Sequence, residues 1–142
     1  MVASIRYDQV EVGDSIPAQS FSLKRLNLVM YAGASGDFNV IHWNERVAKS
    51  VGLPDVIAQG MLTMSEAIRV VTDWAGDPAA VQEYGVRFTR PVVVPDDGTG
   101  AVVEVSGKIA EMRPDGTVRV DLTATLNGST VLGRAQALVA LP

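Results

Sequence analysis

Thr117-Val118-Arg119-Val120-Asp121-Leu122-Thr123-Ala124-Thr125-Leu126-Asn127-Gly128 alternates without a break between polar and apolar residues and then turns. Val118, Val120, Leu122, Ala124 and Leu126 fall on one parity, and Thr117, Arg119, Asp121, Thr123 and Thr125 on the other. A strand projects successive side chains to opposite faces, so this run is a strand with one face in a core and one in water. Asn127-Gly128 is a tight-hairpin pair. Working outward, Pro114-Asp115-Gly116 supplies turn chemistry on the other side. Beyond it Ala101, Val103, Val105 and Ile109 alternate with Glu104, Ser106 and Lys108, and after the hairpin Val131, Gly133, Ala135, Ala137 and Val139 share a parity. Residues 101–140 therefore predict an antiparallel meander. An earlier strand is expected over Val81–Thr89, ending at Pro91, and a short one near Gln19–Leu23.

The meander's inward face needs an apolar partner. Residues 60–75 supply one, with Met61, Met64, Ile68, Val71 and Ala75 on one helical face and Ala67, Val70 and Trp74 widening it. Glu66, Arg69, Thr72 and Asp73 leave only a narrow wet stripe, so the helix is expected to be mostly buried. Gly76 and Pro78 end it. Shorter helices are expected over Leu26–Ala34, stopped near Gly36, and Asn44–Val51, stopped at Gly52. The fold class that follows is α+β, a curved antiparallel sheet wrapped on one apolar helix. Trp43 and Trp74 read as core or interface aromatics and the methionines Met30, Met61 and Met64 as gap fillers.

The chain has 142 residues, 47% of them apolar and 20% charged, with net charge -4, one histidine and no cysteine. This suits one domain over residues 1–142. No Lys/Arg cluster occurs along the sequence, which argues against a nucleic-acid partner. No apolar run is long enough to cross a bilayer, and Met1–Arg6 lacks the features of a signal peptide. A cytoplasmic location is the default expectation. Without cysteine there is no thiolate nucleophile, and one histidine cannot assemble the common zinc ligand sets.

The chemistry is expected in Gly36-Asp37-Phe38-Asn39-Val40-Ile41-His42. Histidine is the side chain whose ordinary pKa lies nearest neutrality, and an Asp–His pair can act as acid and base on one substrate atom. Asp37 and His42 are not at helical spacing. The run follows a helix stop, so it reads as a loop that folds back and brings both side chains to one point. Asn39 offers an amide to fix the loop or a substrate group. Asp and Asn after glycine also make plain turns, and on spacing alone both readings stand. Gln59-Gly60-Met61 opens the buried helix. Free N–H groups at a helix start suit a developing oxyanion, although on the sequence alone the better reading is that Gly60 merely begins the helix and Met61 is core.

Tyr31-Ala32-Gly33-Ala34-Ser35-Gly36-Asp37-Phe38-Asn39-Val40-Ile41-His42-Trp43-Asn44, with Ala48, resembles the signature of the MaoC-like (R)-specific enoyl thioester hydratases and dehydratases. Within that family the chain is similar to the actinobacterial branch that includes the (3R)-hydroxyacyl-ACP dehydratase B subunits. Val12-Gly13-Asp14, Gly60-Met61-Leu62-Thr63-Met64, Glu83-Tyr84-Gly85-Val86-Arg87-Phe88 and Gly133-Arg134-Ala135 extend the likeness over nearly the whole chain. The resemblance implies a hot-dog fold and reversible hydration of a trans-2-enoyl thioester of CoA or acyl carrier protein. It implies no cofactor and no metal. By the same resemblance His42 is the main base toward water, Asp37 orients the water and helps move the proton at C2, and Asn39 braces the loop or binds substrate. The Gly60 N–H polarises the thioester carbonyl, and Ser65 lies near Asp37. A dimer is implied too, with a copy of the chain or a related hot-dog subunit. Two positions depart from the pattern, Val40 for a proline and Gln59 for a histidine. The alternatives are a hot-dog thioesterase and a non-catalytic acyl-binding subunit.

Overall fold

The computed structural model describes residues 3–142; Met1 and Val2, part of the segment read above for a signal peptide, lie outside the described residues. Five strands, β1 (Ser15–Leu23), β2 (Val81–Phe88), β3 (Ala101–Met112), β4 (Thr117–Leu126) and β5 (Ser129–Ala140), form one antiparallel sheet in the order β1-β3-β4-β5-β2. Among the described residues three α-helices accompany it: α1 (Arg25–Ser35), α2 (Glu45–Ser50) and α3 (Gly60–Ala75). This is the α+β, sheet-on-helix class expected from the sequence. The first strand is longer than predicted, because Pro17 sits at a register shift between Ile16 and Gln19 that interrupts the pattern.

The meander follows its predicted parity. β3 alternates buried and exposed from Ala101 to Ile109, and Val118, Val120, Leu122 and Ala124 of β4 are buried beside it. These side chains meet Leu62, Ala67, Val70, Val71 and Ala75 of α3 in one core. Both predicted turns form. Asn127 and Gly128 have positive φ, 50° and 78°, as a two-residue hairpin with the sheet's own twist requires. At the other turn Thr117 donates its hydroxyl (2.7 Å) and N–H (3.0 Å) to Asp115. Those bonds hold the Asp115 carboxyl below the usual carboxylate range.

Three readings need correction. Met61 is 56% exposed and Met30 62%, so neither fills the core; the buried face of α3 is rotated onto Leu62, Thr63 and Ala67. Of the core-or-interface reading of Trp43 only the core half is corrected: the ring is half exposed and donates Nε1–H to the Phe38 carbonyl at 3.1 Å, pinning a loop. The parity of β5 breaks at Gly133-Arg134. Leu122 pairs with Ala135 but Ala124 with Leu132, and Arg134 takes φ 46°. Such bulges bend a strand and increase its twist, and further register shifts in β1, β2 and β3 help curve the sheet around α3.

Tyr84 ties the β2 edge to the helix. Its hydroxyl donates to the Met64 carbonyl at 3.0 Å, and burial pushes its pKa up to about 12. The folded state therefore keeps this proton at pH values where the unfolded chain has lost it. That stabilising contribution is complete below about pH 10 and is lost as pH rises toward about 12. Tyr84→Phe is expected to cost about 1 kcal/mol at neutral pH. It should also flatten part of the alkaline loss of stability in urea unfolding between about pH 10 and 12.

Candidate active site

The loop after α1 is organised by its own short polar side chains. Gly36 ends the helix in the left-handed region (φ 78°), with its N–H on the Ala32 carbonyl at 2.9 Å; a glycine adopts that conformation without steric cost. Ser35 Oγ then accepts the Asp37 N–H (3.2 Å), Asp37 Oδ1 the Asn39 N–H (3.2 Å) and Asn39 Oδ1 the Ile41 N–H (3.3 Å). Asn39 so caps a single 3-10 turn, Val40–His42, that carries the histidine. At Val40 the loop is held by this cap and by the Trp43–Phe38 bond.

His42 is buried, 8% exposed. Its Nδ1 lies 2.7 Å from the Ile57 carbonyl oxygen. A carbonyl only accepts, so Nδ1 carries a proton and Nε2 is the ring nitrogen left to exchange one. Nε2 lies 3.7 Å from Asp37 Oδ2, the oxygen that the loop leaves uncommitted. That separation is too long for a direct hydrogen bond and suits one water bonded to both.

Ile57 is itself held. Its N–H donates to the Ile41 carbonyl (3.2 Å), and it forms an antiparallel bridge with Val93, flanked by Ala58 N–H to Val92 O (2.8 Å) and Val94 N–H to Val56 O (2.9 Å). Arg25, at the start of α1, closes the arrangement. Its Nε donates to the Val94 carbonyl at 2.6 Å and its terminal nitrogen to Asp55 Oδ1 at 2.8 Å, with Glu45 at 3.7 Å. Nothing in the sequence pattern singles out Arg25, because its partners are 20 to 69 residues away.

Asp37 and His42 open into a cavity of about 420 Å³ together with Gly60, Thr63, Phe88 and Leu132. Gly60 begins α3, so its N–H has no partner within the helix and sits at the positive end of the helix dipole. A Cβ here would stand 3.0–3.1 Å from the Phe88 ring. Two expected contacts are absent from the cavity. Asn39 is spent on capping the loop and is not among the lining residues, which leaves it the bracing role. Ser65 donates to the Leu62 carbonyl at 2.8 Å instead of meeting Asp37. Gln59 is buried and donates to the Leu28 carbonyl of α1 at 3.0 Å, so its side chain anchors the start of α3. The pattern reading missed Thr63, a buried hydroxyl facing the same cavity. Among the described residues no three His, Asp or Glu side chains gather as a metal site, and no helix is long and apolar enough to cross a membrane.

Comparison with known proteins places this geometry. The family model described as the MaoC like domain matches residues 9–125, and the chain belongs to that family. A solved MaoC-like dehydratase is 43% identical with a TM-score of 0.93 over 96% of this chain and 42% of its own. The R-hydratase PhaJ1 from Pseudomonas aeruginosa is 28% identical with a TM-score of 0.80, over 99% of this chain and 88% of its own. The 3-hydroxyacyl-thioester dehydratase X of Mycobacterium tuberculosis is 37% identical over 91 residues, 64% of this chain. The match spans only 31% of that relative's length. The fold is the hot dog that the resemblance implied.

Gly60→Ala is expected to lower kcat/KM by about tenfold or more with little loss of stability, because the methyl meets the Phe88 ring within the cavity that Asp37 and His42 line. Phe88→Ala in the same chain should restore part of that loss. A double-mutant cycle on steady-state rates checks the coupling.

Proposed function

We propose that this chain catalyses the reversible hydration of a trans-2-enoyl thioester to a (3R)-3-hydroxyacyl thioester, with CoA or an acyl carrier protein as the carrier. The observation that carries the reading is the 2.7 Å bond from His42 Nδ1 to the Ile57 carbonyl. It leaves the basic Nε2 3.7 Å from Asp37 Oδ2, close enough for one water beside the pair to bond both.

In the hydration direction one water is held between Nε2 and Oδ2. His42 Nε2 takes a proton from it as the oxygen attacks C3 of the enoyl group. Electron density moves through the conjugated double bond to the thioester oxygen. The Gly60 N–H, at the positive end of α3, stabilises that charge where it develops. The Asp37–His42 pair has then gained one proton from water. It returns one to C2 through Asp37, so H and OH add across the double bond and the pair regains its starting state. Dehydration is the same path reversed. Because α3 aims its N-terminus at the cavity, the oxyanion donor comes from rigid backbone instead of a mobile side chain.

The chain acts paired with a second hot-dog domain, a copy of itself or a related subunit. Strand β2 is an open edge of the sheet, and exposed Phe88 and Met61 lie at the cavity mouth beside it. Open edges and apolar mouths of this kind favour pairing.

The test follows loss of the enoyl-thioester absorbance band with crotonyl-CoA and a longer trans-2-enoyl-CoA. Asp37→Asn and His42→Ala are each expected to lower turnover at least about a hundredfold with an unchanged circular dichroism spectrum. Near-wild-type rates in either variant would refute the assigned roles.

A further inference from the structure

We propose that the Thr63 hydroxyl is a second hydrogen-bond donor to the thioester carbonyl, beside the Gly60 N–H. The proposal rests on the thioester reading above and adds a residue to its chemistry. Helix α3 carries three hydroxyl side chains, Thr63, Ser65 and Thr72. Two are closed on the helix itself, Ser65 on the Leu62 carbonyl at 2.8 Å and Thr72 on the Arg69 carbonyl at 3.3 Å. Such bonding back to the preceding turn is common for a hydroxyl inside a helix. Thr63 departs from it: among the described residues its hydroxyl has no hydrogen-bond partner.

Thr63 is nonetheless only 3% exposed. Among the described residues the one fully buried side-chain oxygen or nitrogen without a partner is Gln59 Oε1. The Thr63 oxygen therefore keeps contact with open space. The open space that Thr63 lines is the cavity of Asp37, His42 and Gly60. A polar group in a nearly closed site without a protein partner calls for one from water or a ligand.

The position on α3 decides which ligand atom it meets. Thr89 and Arg90 line the cavity too, and both donate to the Thr130 carbonyl at 3.1 Å. Asp37 Oδ2 and His42 Nε2 come from the loop and take the water. The Gly60 N–H and the Thr63 hydroxyl come from α3. Thr63 stands three residues after Gly60, on the same helix face one turn along. Helical side chains lean toward the N-terminus, so the hydroxyl lies over the turn that Gly60 opens. A carbonyl oxygen has two lone pairs. The Gly60 N–H takes one and Thr63 the other. Both bonds strengthen as charge builds on that oxygen, and the hydroxyl keeps its proton throughout. The branched Cβ and near-complete burial limit the rotamers of this donor.

The experiment compares wild type, Thr63→Val and Thr63→Ser. Valine keeps the shape and removes the hydroxyl; serine keeps the hydroxyl. The probe is butyryl-CoA labelled with carbon-13 at the thioester carbonyl. It has no double bond to hydrate, and its carbonyl band in difference infrared spectra reads polarisation directly. The expected result is a shift to lower wavenumber on wild type and Thr63→Ser, cut to about half or less on Thr63→Val. An equal shift on wild type and Thr63→Val, or no shift on wild type, overturns the proposal. With crotonyl-CoA, Thr63→Val is expected to lower kcat at least about tenfold with KM changed less than about threefold, and Thr63→Ser to recover most of that loss. Full kcat in Thr63→Val overturns the proposal. The pH profile of kcat should not move, because this hydroxyl does not titrate there; a displaced profile puts Thr63 on the acid–base pair and overturns the carbonyl assignment. Thr63→Val should melt no lower than wild type, since it removes an unpaired polar group. A lower melting temperature in both variants, with parallel losses of kcat, marks a structural role and overturns the proposal. The infrared band decides Thr63 even if no enoyl thioester is hydrated, a failure that would count against the hydratase reading alone.

Discussion

The hydrogen bond from His42 to the Ile57 carbonyl is the constraint on which the rest of the site depends. It fixes the tautomer, the ring plane and the direction of the only imidazole in the chain. Everything around it serves to keep the acceptor still. Ile57 bridges Val93, its N–H returns to Ile41, and Arg25 joins Val94 to Asp55 in a half-buried ion pair. The ion pair is useful here for the position it imposes more than for net stability, since desolvation offsets much of its attraction. Its partners come from α1, the segment before α3 and the segment after β2. A displacement of any of them would therefore reach the Nε2–Oδ2 gap.

A second constraint is the sheet's curvature around α3. The helix is buried along Leu62, Ala67, Val70, Val71 and Ala75, which fixes its axis and thereby its N-terminus. Gly60 ends up against Phe88 with no room for a Cβ that leaves the ring in place. The same packing that stabilises the domain thus sets the first residue of α3 at the cavity. Packing and electrostatics are not separate contributions here; one positions the other. The bulge at Gly133-Arg134 links the two faces of that sheet, placing Leu132 in the cavity and Arg134 on the opposite side.

Much of this was readable locally. The alternation from Ala101 to Ile109 and from Val118 to Ala124 specified strands and their buried face, because parity needs no knowledge of partners. Gly36 and Gly76 marked helix ends that occur where expected, each with φ near 77°. The Asp37–His42 loop was legible as a fold-back, since Asp and Asn side chains bond the backbone two residues on. What escaped notice was set by long-range contacts. Arg25 looks like any helix-start arginine until Val94 and Asp55 are brought to it. The sequence has no run of basic residues, yet the sheet collects arginines 87, 113, 119 and 134 on one face. Met61 carried the right hydrophobicity and the wrong phase, because a helix whose first turn opens a cavity need not bury that turn.

The central claim is that a water held between Asp37 and His42 is added to the double bond, leaving the thioester intact. Turnover of crotonyl-CoA in oxygen-18 water, with products resolved by chiral separation and mass spectrometry, tests it directly. The account predicts one labelled oxygen at C3 of (3R)-3-hydroxybutyryl-CoA and no free CoA. Label in a released carboxylate, with free CoA accumulating, would contradict it and make the pair a hydrolase of the thioester bond.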